Sequence, residues 1–392
     1  MDLYEHQAKR LLSAYGIPVP ISEVATSVDG AGQAARRLGC NGFVVKAQIL
    51  AGDRKQAGGI RFASNANEVE SAARALLGTD LVTRQTGSRA ARVDAVQVEE
   101  QIRTLDLLYL AITIDPQNGT IIMLASRAGG DDIEVRASTD RDVVHRIALS
   151  LDGPRLVGDF DSAAKQIASE PRIAAGLVAV MRNLASAFIG SDATLAEINP
   201  LGVTEEGRLC ALDAKVTIDD NALFRRPDLA RLKIERTGAD PDELEAQRHQ
   251  INYLKLDGSI GCVVNGAGLA LTTLDLIESA GGSAANFMDI RTTATSLDIA
   301  HGFGLILANP AVRAIYVNVH GGGMQRCDTI AEGLGIALRK VSRRVPIIMR
   351  LAGNNAAFAQ TVLRNNGVAY TAADDMAEGA RLAVAAVRKE AA

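Results

Sequence analysis

The chain has no tryptophan, and aromatic residues make up only 4% of its 392 positions. An interior with so few rings must pack on Ala, Val, Leu and Ile, and 36 glycines supply many tight turns between such elements. That combination points to an α/β protein. Cysteine is scarce too. Cys40, Cys210, Cys262 and Cys327 are far apart and match no metal or Cys-x-x-Cys spacing, so they read as reduced core or turn residues. Excess charge is nearly absent: a net charge of −4 gives no electrostatic case for nucleic acid or an anionic membrane. No run approaches the roughly 18 apolar residues of a membrane span. The opening Met1-Asp2-Leu3-Tyr4-Glu5-His6 lacks the basic-then-apolar order of a signal peptide, so the expected location is the cytoplasm. With 47% hydrophobic and 22% charged residues the chain can bury a large core, and its length suits about two to three domains.

What is present is a polar pattern with its own geometry. Thr204-Glu205-Glu206-Gly207-Arg208 reads as a hairpin turn with glycine where φ must be positive. A three-residue loop between Thr204 and Arg208 sets Asn199 opposite Asp213 and Glu197 opposite Lys215. Side chains alternate along a strand, so these four polar groups share one face, and Ala196, Ile198, Leu212 and Ala214 take the other. Opposed Cβ atoms lie about 5 Å apart, close enough for one hard cation between an amide oxygen and a carboxylate. Asn and Asp are poor strand formers, which argues against a merely solvated face. A bulge at Pro200 would shift the register by one and spoil the arrangement.

Along the chain, Asp2 with Glu5 resembles a capping box opening a helix that runs to about Tyr15. A helix over 28–38, a strand Gly42–Gln48, a helix over 67–77, a strand Ala95–Glu99 and a strand pair at 107–114 and 119–126 follow. Helices are expected near 140–150 and 171–188. Residues 226–250 are strongly charged, contain Pro227 and Pro241, and read as a linker. From Ile251 the pattern becomes β-α-β-α, with strands Ile260–Val264, Ala314–Val319, Pro346–Leu351 and Ala369–Thr371 and a closing helix over 376–390. This is the signature of a doubly wound parallel sheet.

Three of those strands run into Gly/Asn loops: Asn265-Gly266-Ala267-Gly268, His320-Gly321-Gly322-Gly323 and Ala352-Gly353-Asn354-Asn355. Backbone amides of such loops, leading into helix N-termini, suit phosphate and carboxylate. Each could equally be an ordinary tight turn. Of the five histidines, His320 alone lies in a glycine loop at a strand's carboxyl end.

Residues 1–9, Val44-Val45-Lys46-Ala47-Gln48, Ala196-Glu197-Ile198-Asn199-Pro200-Leu201, Leu212-Asp213-Ala214-Lys215, Asn221-Ala222-Leu223-Phe224-Arg225, residues 260–268 and Arg326-Cys327-Asp328 resemble the β subunit of ADP-forming succinyl-CoA synthetase. Some also resemble the malate–CoA ligase β subunit. The resemblance implies an ATP-grasp domain over 1–225, the linker 226–250 and a flavodoxin-like CoA-ligase domain over 251–392. It further implies ATP, Mg²⁺ and CoA, a small carboxylate substrate such as that of the tricarboxylic acid cycle enzyme, and a partner α subunit in a heterodimer or α2β2 heterotetramer. That partner would carry a phosphohistidine and most of the CoA site. By position, Lys46, Gly52, Arg54 and Glu99 would bind ATP, with Glu99 on the adenine or hinge side. Asn199 and Asp213 would hold Mg²⁺, Glu197 would orient the partner's phosphohistidine, and Asn265 with Gly321, Gly322 and Gly323 would bind the carboxylate.

The chain departs from the family pattern in three places. A Gly-Gly-Arg-Gly-Lys segment is here Gly52-Asp53-Arg54-Lys55-Gln56, a Lys-Glu pair before a tyrosine is Asp106-Leu107, and a Gly-Gly-Gly-Ala stretch is Arg291-Thr292-Thr293-Ala294, with the Gly321 loop one residue longer. The first two bear on ATP. The last suggests a carboxylate other than succinate, carrying a further polar or anionic group for which arginine is suited. Two competing readings are a regulatory subunit that no longer turns over ATP and a stand-alone ATP-grasp carboxylate–amine ligase.

Overall fold

The computed structural model describes residues 1–87, 90–130, 133, 143–234, 240–322 and 325–391. The chain divides into two compact units, Met1–Gly238 and Ala239–Ala392.

The first unit holds two large antiparallel sheets and a two-stranded one, β4 (Asp80–Leu81) with β5 (Ala91–Arg92). The smaller of the two large sheets has the order β1 (Ser22–Ala25), β6 (Val96–Glu100), β2 (Phe43–Ala47), β3 (Ile60–Ala63). The helices Val28–Leu38 and Ala66–Leu76 start where sequence capping rules put them. Ser27 accepts from the Gly30 N–H, and Asn65 accepts from the Asn67 and Glu68 N–H groups. Their alanine faces (Ala31, Ala34, Ala35, Ala72, Ala73) bury against Val45, Val96 and Val98. Small side chains let helix and sheet approach closely, which is how a core without tryptophan stays dense.

The larger sheet has the order β10 (Arg155–Val157), β9 (His145–Asp152), β8 (Thr120–Ser126), β7 (Thr104–Asp115), β11 (Ala193–Thr204), β12 (Leu209–Ala211), with β13 (Ala214–Ile218) also paired to β11. Helix Pro171–Gly190 is long and apolar enough to span a membrane by length and composition, contrary to the reading from composition. It packs Leu177, Met181 and Leu184 against Leu110, Ile112 and Met123 in the core of this unit. Burying each such side chain contributes about 1.5–3 kcal/mol.

Three local expectations change. Residues 145–152 form a strand rather than a helix, because Ile147, Leu149 and Leu151 recur with a period of two; residues 140–142 lie outside the described ones. The first helix is Glu5–Ala14, and its opening N–H at Tyr4 bonds Gln7 Oε1. Asp2 instead accepts from the Thr217 hydroxyl, and Glu5 is drawn into a buried ion cluster. In the charged stretch 226–250, helix Pro227–Ile234 buries Leu229 and Leu232 in the first unit's core.

In the second unit the sheet order is β14 (Ile251–Lys255), β16 (Asn286–Ile290), β15 (Ile260–Val264), β17 (Ala314–Gly321), β18 (Ile347–Gly353), β19 (Thr371–Ala372), parallel except for the antiparallel edge β14. Strand β16 and helix Ser296–Ala308 escape the sequence reading, since Phe287, Met288 and Ile290 make only a short apolar run broken by Asp289. Helices lie over apolar strands on both faces, as the two separate cores require. In one of these cores burial pushes the Cys262 thiol up to about 12, so it is inert.

Candidate active site

The hairpin register comes out as the turn chemistry dictates. Thr204 N–H bonds Arg208 O across the loop, Leu201 faces Ala211, Ile198 faces Ala214 and Glu197 faces Lys215. Asn199 N–H donates to Asp213 O at 3.3 Å, so Asn199 lies opposite Asp213. An irregularity does occur at Pro200, whose peptide with Asn199 is cis, but it falls on the β7 side. The hairpin side keeps its register. Glu197, Asn199, Asp213 and Lys215 are half-buried and line one cavity of about 410 Å³, while Ala196, Ile198 and Ala214 are buried. Leu212 is half-buried and also lines the cavity.

Behind that face sits a buried cluster of three cations and three carboxylates. Lys46, on β2, places Nζ 2.9 Å from Glu5 Oε1, 2.5 Å from Glu99 Oε1 and 2.6 Å from the Leu212 carbonyl. An ammonium has three protons, and these three contacts engage all of them. Lys9 bridges Glu5 and Glu99 at 2.7 and 2.6 Å. Arg54 joins Glu5 Oε2 at 2.7 Å to Asp213 Oδ2 at 2.8 Å, and donates to the Ala47 carbonyl. Burial works to raise the Glu5 pKa, but Arg54, Lys46 and Lys9 together hold it well below the usual carboxylate range. Burial works equally against the charged forms of Lys46 and Arg54, and the facing carboxylates overcome it and push both pKa values up. Glu5, Lys46 and Arg54 therefore stay ionised.

Both oxygens suited to a hard cation are engaged by protein groups. Asp213 Oδ2 faces Arg54, and Asn199 Oδ1 accepts from the Gly130 N–H at 2.6 Å. The donor set, one carboxylate and one amide oxygen on a shared face, fits Mg²⁺. Loop 52–56 is held in place. Asp53 adopts φ 58°, a left-handed conformation that Asp tolerates, and Arg84 bonds both its carboxylate oxygens. The Gly52 N–H bonds Gln85 Oε1. Asp53 is thus tied down in a conformation that glycine takes without strain.

In the second unit the strand ends form another constellation. Both sides of the Asn265 amide are spent on one residue: Nδ2 donates to His320 O at 2.8 Å and Oδ1 accepts from His320 N at 3.0 Å. The clamp holds β17 where it runs into Gly321 and Gly322; Gly323 lies outside the described residues. Gly353, at φ 83°, brings its backbone so close that an added Cβ would lie 2.4 Å from Gly321 O. Asp289 accepts from the Gly266 N–H at 2.6 Å and from Asn252, and Asn252 accepts from Arg291 Nε. Arg291 is exposed at the carboxyl end of β16, one strand from Asn265.

Comparison with known proteins agrees along the whole chain. An ATP-grasp domain model matches residues 2–203 and a CoA-ligase model residues 263–384. The ADP-forming succinate–CoA ligase β subunit of Acidithiobacillus ferrooxidans is 42% identical over 395 residues, covering 99% of this chain and all of that protein. The chain belongs to the succinate–CoA ligase β-subunit family. The Geobacillus thermodenitrificans member is 39% identical, again over 99% of this chain and 100% of that one. An ATP citrate lyase from Methanothrix soehngenii, solved with citrate and coenzyme A, superposes with a TM-score of 0.79 over 98% of this chain and 99% of that one; at 18% identity it shows the shared fold.

As a family member, the chain is a subunit of an ADP-forming acid–CoA ligase, with ATP and CoA as substrates and a partner subunit. The sequence-expected ATP and metal residues Lys46, Gly52, Arg54, Glu99, Asn199 and Asp213 and the residue Glu197 all line the same cavity in the first unit. Asn265, Gly321 and Gly322 belong to the second unit. Glu99 reaches that cavity with its carboxylate turned onto Lys9 and Lys46. Three participants escaped the sequence reading: Glu5, Lys9 and Gly130. The signal for the first two was available, since a Glu–Lys pair four apart sits on the face of a helix that also carries the buried Ala8 and Leu12.

Proposed function

We propose that the cavity of the first unit binds ATP with Mg²⁺, and that the chain phosphorylates a histidine on its partner α subunit. Lys46 and Arg54 would take the phosphate oxygens, exchanging carboxylate partners for them. Asn199 and Asp213 would hold Mg²⁺, which neutralises phosphate charge. Glu197 would orient the partner's imidazole by accepting its ring N–H. In the first step the bond between the γ-phosphorus and the bridging oxygen breaks, an N–P bond forms on the imidazole, and ADP leaves. The phosphoryl group then passes to a substrate carboxylate, and the CoA thiolate displaces phosphate from that acyl phosphate. This chain's own contribution is position and charge. The observation that carries the reading is the single face of Glu197, Asn199, Asp213 and Lys215 opening on the cavity beside Lys46 and Arg54.

The acid is a small dicarboxylate. Succinate is the acid named for the relatives; Arg291, exposed at the sheet's carboxyl edge and anchored through Nε, favours one with an extra polar or anionic group, such as malate. Asn265 acts on that substrate through the His320–Gly322 backbone that it positions.

The test is to isolate the chain with its co-purifying partner and add γ-labelled ATP and Mg²⁺. Acid-labile, base-stable label on the partner is expected, and Asp213→Ala should reduce it about 100-fold or more. No label with partner present and folded would overturn the ligase reading in favour of a regulatory one, for which the engagement of Lys46 and Arg54 by Glu5, Glu99 and Asp213 is the observation in favour. An acid screen on the working complex then decides the substrate; preference for succinate over every substituted dicarboxylate removes the role given to Arg291.

A further inference from the structure

Beside the carboxyl end of β16, helices Pro241–Arg248 and Ser296–Ala308 pack together and bring two histidines and two carboxylates into one cluster. Glu245 and His249 come from the end of the first helix, spaced four apart; Asp298 and His301 come from the second, spaced three apart. Each pair therefore projects from one side of its own segment. One ligand atom from each of Glu245, His249 and His301 lies within 4.8 Å of the others.

We infer that Glu245, His249 and His301 form a binding site for a divalent transition ion of the zinc class, with Asp298 orienting His249. The separation of Glu245 Oε1 from His249 Nε2 is 3.2 Å. Two ligands each 2.0–2.1 Å from a tetrahedral zinc stand about 3.3 Å apart, so this edge already has the required length. On the other side of the ring, His249 Nδ1 faces Asp298 Oδ1 at 3.3 Å. That is the outer-shell carboxylate which sets the tautomer of a metal-bound histidine and leaves Nε2 for the ion. Asp298 is itself immobilised, because its second oxygen accepts from both the N–H and the hydroxyl of Thr295 at the helix start. The second oxygen of Glu245 holds Arg248.

His301 completes the set. Its ring stacks on His249 with centroids 3.7 Å apart and planes 11° from parallel. Since His301 is exposed, its ring can tilt at its nitrogen edge toward Nε2 without disturbing a packed core. Three protein ligands and one open position result. Two imidazoles select zinc, cobalt or nickel over the all-oxygen preference of Mg²⁺, so the nucleotide's metal would not compete. The bound ion would clamp the two helices.

The test uses the full chain stripped with chelator, titrated calorimetrically with Zn²⁺ in the presence of excess Mg²⁺. One tightly bound Zn²⁺ per chain is expected, with a rise in the melting midpoint. His301→Ala and Glu245→Gln should each weaken it at least about 10-fold, and Asp298→Asn, which keeps the cap, about 10–100-fold. With Co²⁺ in place of Zn²⁺, the visible band of a four-coordinate site should appear in the unaltered chain and vanish in His301→Ala. Because His301 is exposed, that variant should fold. No stoichiometric Zn²⁺, or zinc bound equally by His301→Ala and Glu245→Gln, overturns the site.

Discussion

The two units build their candidate sites by opposite means. In the first, charged side chains from one helix, two strands, the hairpin and the loop carrying Arg54 gather into a cluster beside a polar face. In the second the site is built from backbone, where Asn265 clamps His320 and glycines bring strand ends together. The difference lies in what each can tolerate. A side-chain cluster of this kind needs every member, because a buried ion without its partner is costly. A backbone site tolerates changes in side chain but not in the room around it.

The sharpest way to break the comparison is Glu5→Gln. It leaves Lys9, Lys46 and Arg54 with one carboxylate fewer in a buried setting, and a loss of about 3–5 kcal/mol is expected from denaturant midpoints. The pH dependence follows the same logic. Glu5's folded pKa is depressed, so its stabilisation is present above the unfolded value of about 4.3 and lost as pH falls through the folded value. Acid unfolding of the unaltered chain should therefore steepen below about pH 4.3, and the glutamine variant should lack that component. An unchanged acid slope would show that the cluster is not what ionises Glu5.

In the second unit the counterpart is Gly353→Ala. The new methyl would meet Gly321 O at 2.4 Å in a backbone with φ 83°, so a cost of about 2–3 kcal/mol is expected, together with loss of activity on the acid. A variant as stable and active as the parent would mean that the close approach of the two strand ends carries no function.

The contrast also explains what could be read in advance. The hairpin was legible because a three-residue loop and a two-residue period leave one register, and Asn199 opposite Asp213 follows directly. The glycine loops were legible as strand ends, and Gly321 and Gly353 do meet where β17 and β18 finish. Lys9 and Glu5 were not legible as partners of Lys46 and Glu99, because no local rule places residues some 40 and 90 positions apart in one cluster. Strand 145–152 was misassigned because its alternation is short, and β16 was overlooked because its apolar residues are interrupted by Asn286 and Asp289. Nor did composition reveal that Asn265's amide would be spent on His320 rather than left for a ligand.

Asn265→Ala tests that last point. Two hydrogen bonds to His320 backbone are lost, a cost of about 1–3 kcal/mol. If the residue acts by positioning, partner phosphorylation by ATP should be unaffected while the acid-dependent step falls about 10-fold, mainly in kcat. A rise in KM with kcat unchanged would instead mean direct contact with the carboxylate.

The smallest effect is expected at loop 52–56, and it bears most directly on whether a lost glycine impairs ATP binding. Arg84 is exposed, so removing its pair with Asp53 should cost only about 0–1 kcal/mol in stability. Yet that pair, with Gln85 on the Gly52 N–H, is what holds the loop from which Arg54 reaches Asp213. Arg84→Ala should loosen the loop and let Arg54 exchange Asp213 for phosphate more readily, lowering the KM for ATP about two- to three-fold while leaving the melting midpoint within a few degrees. Asp53→Gly should act in the same direction, because glycine takes φ 58° without strain and has no carboxylate for Arg84. A raised KM in both variants would mean the opposite: the tethered loop is already in its nucleotide-binding form, and Arg84 substitutes for the stiffness that Asp53 alone would not provide.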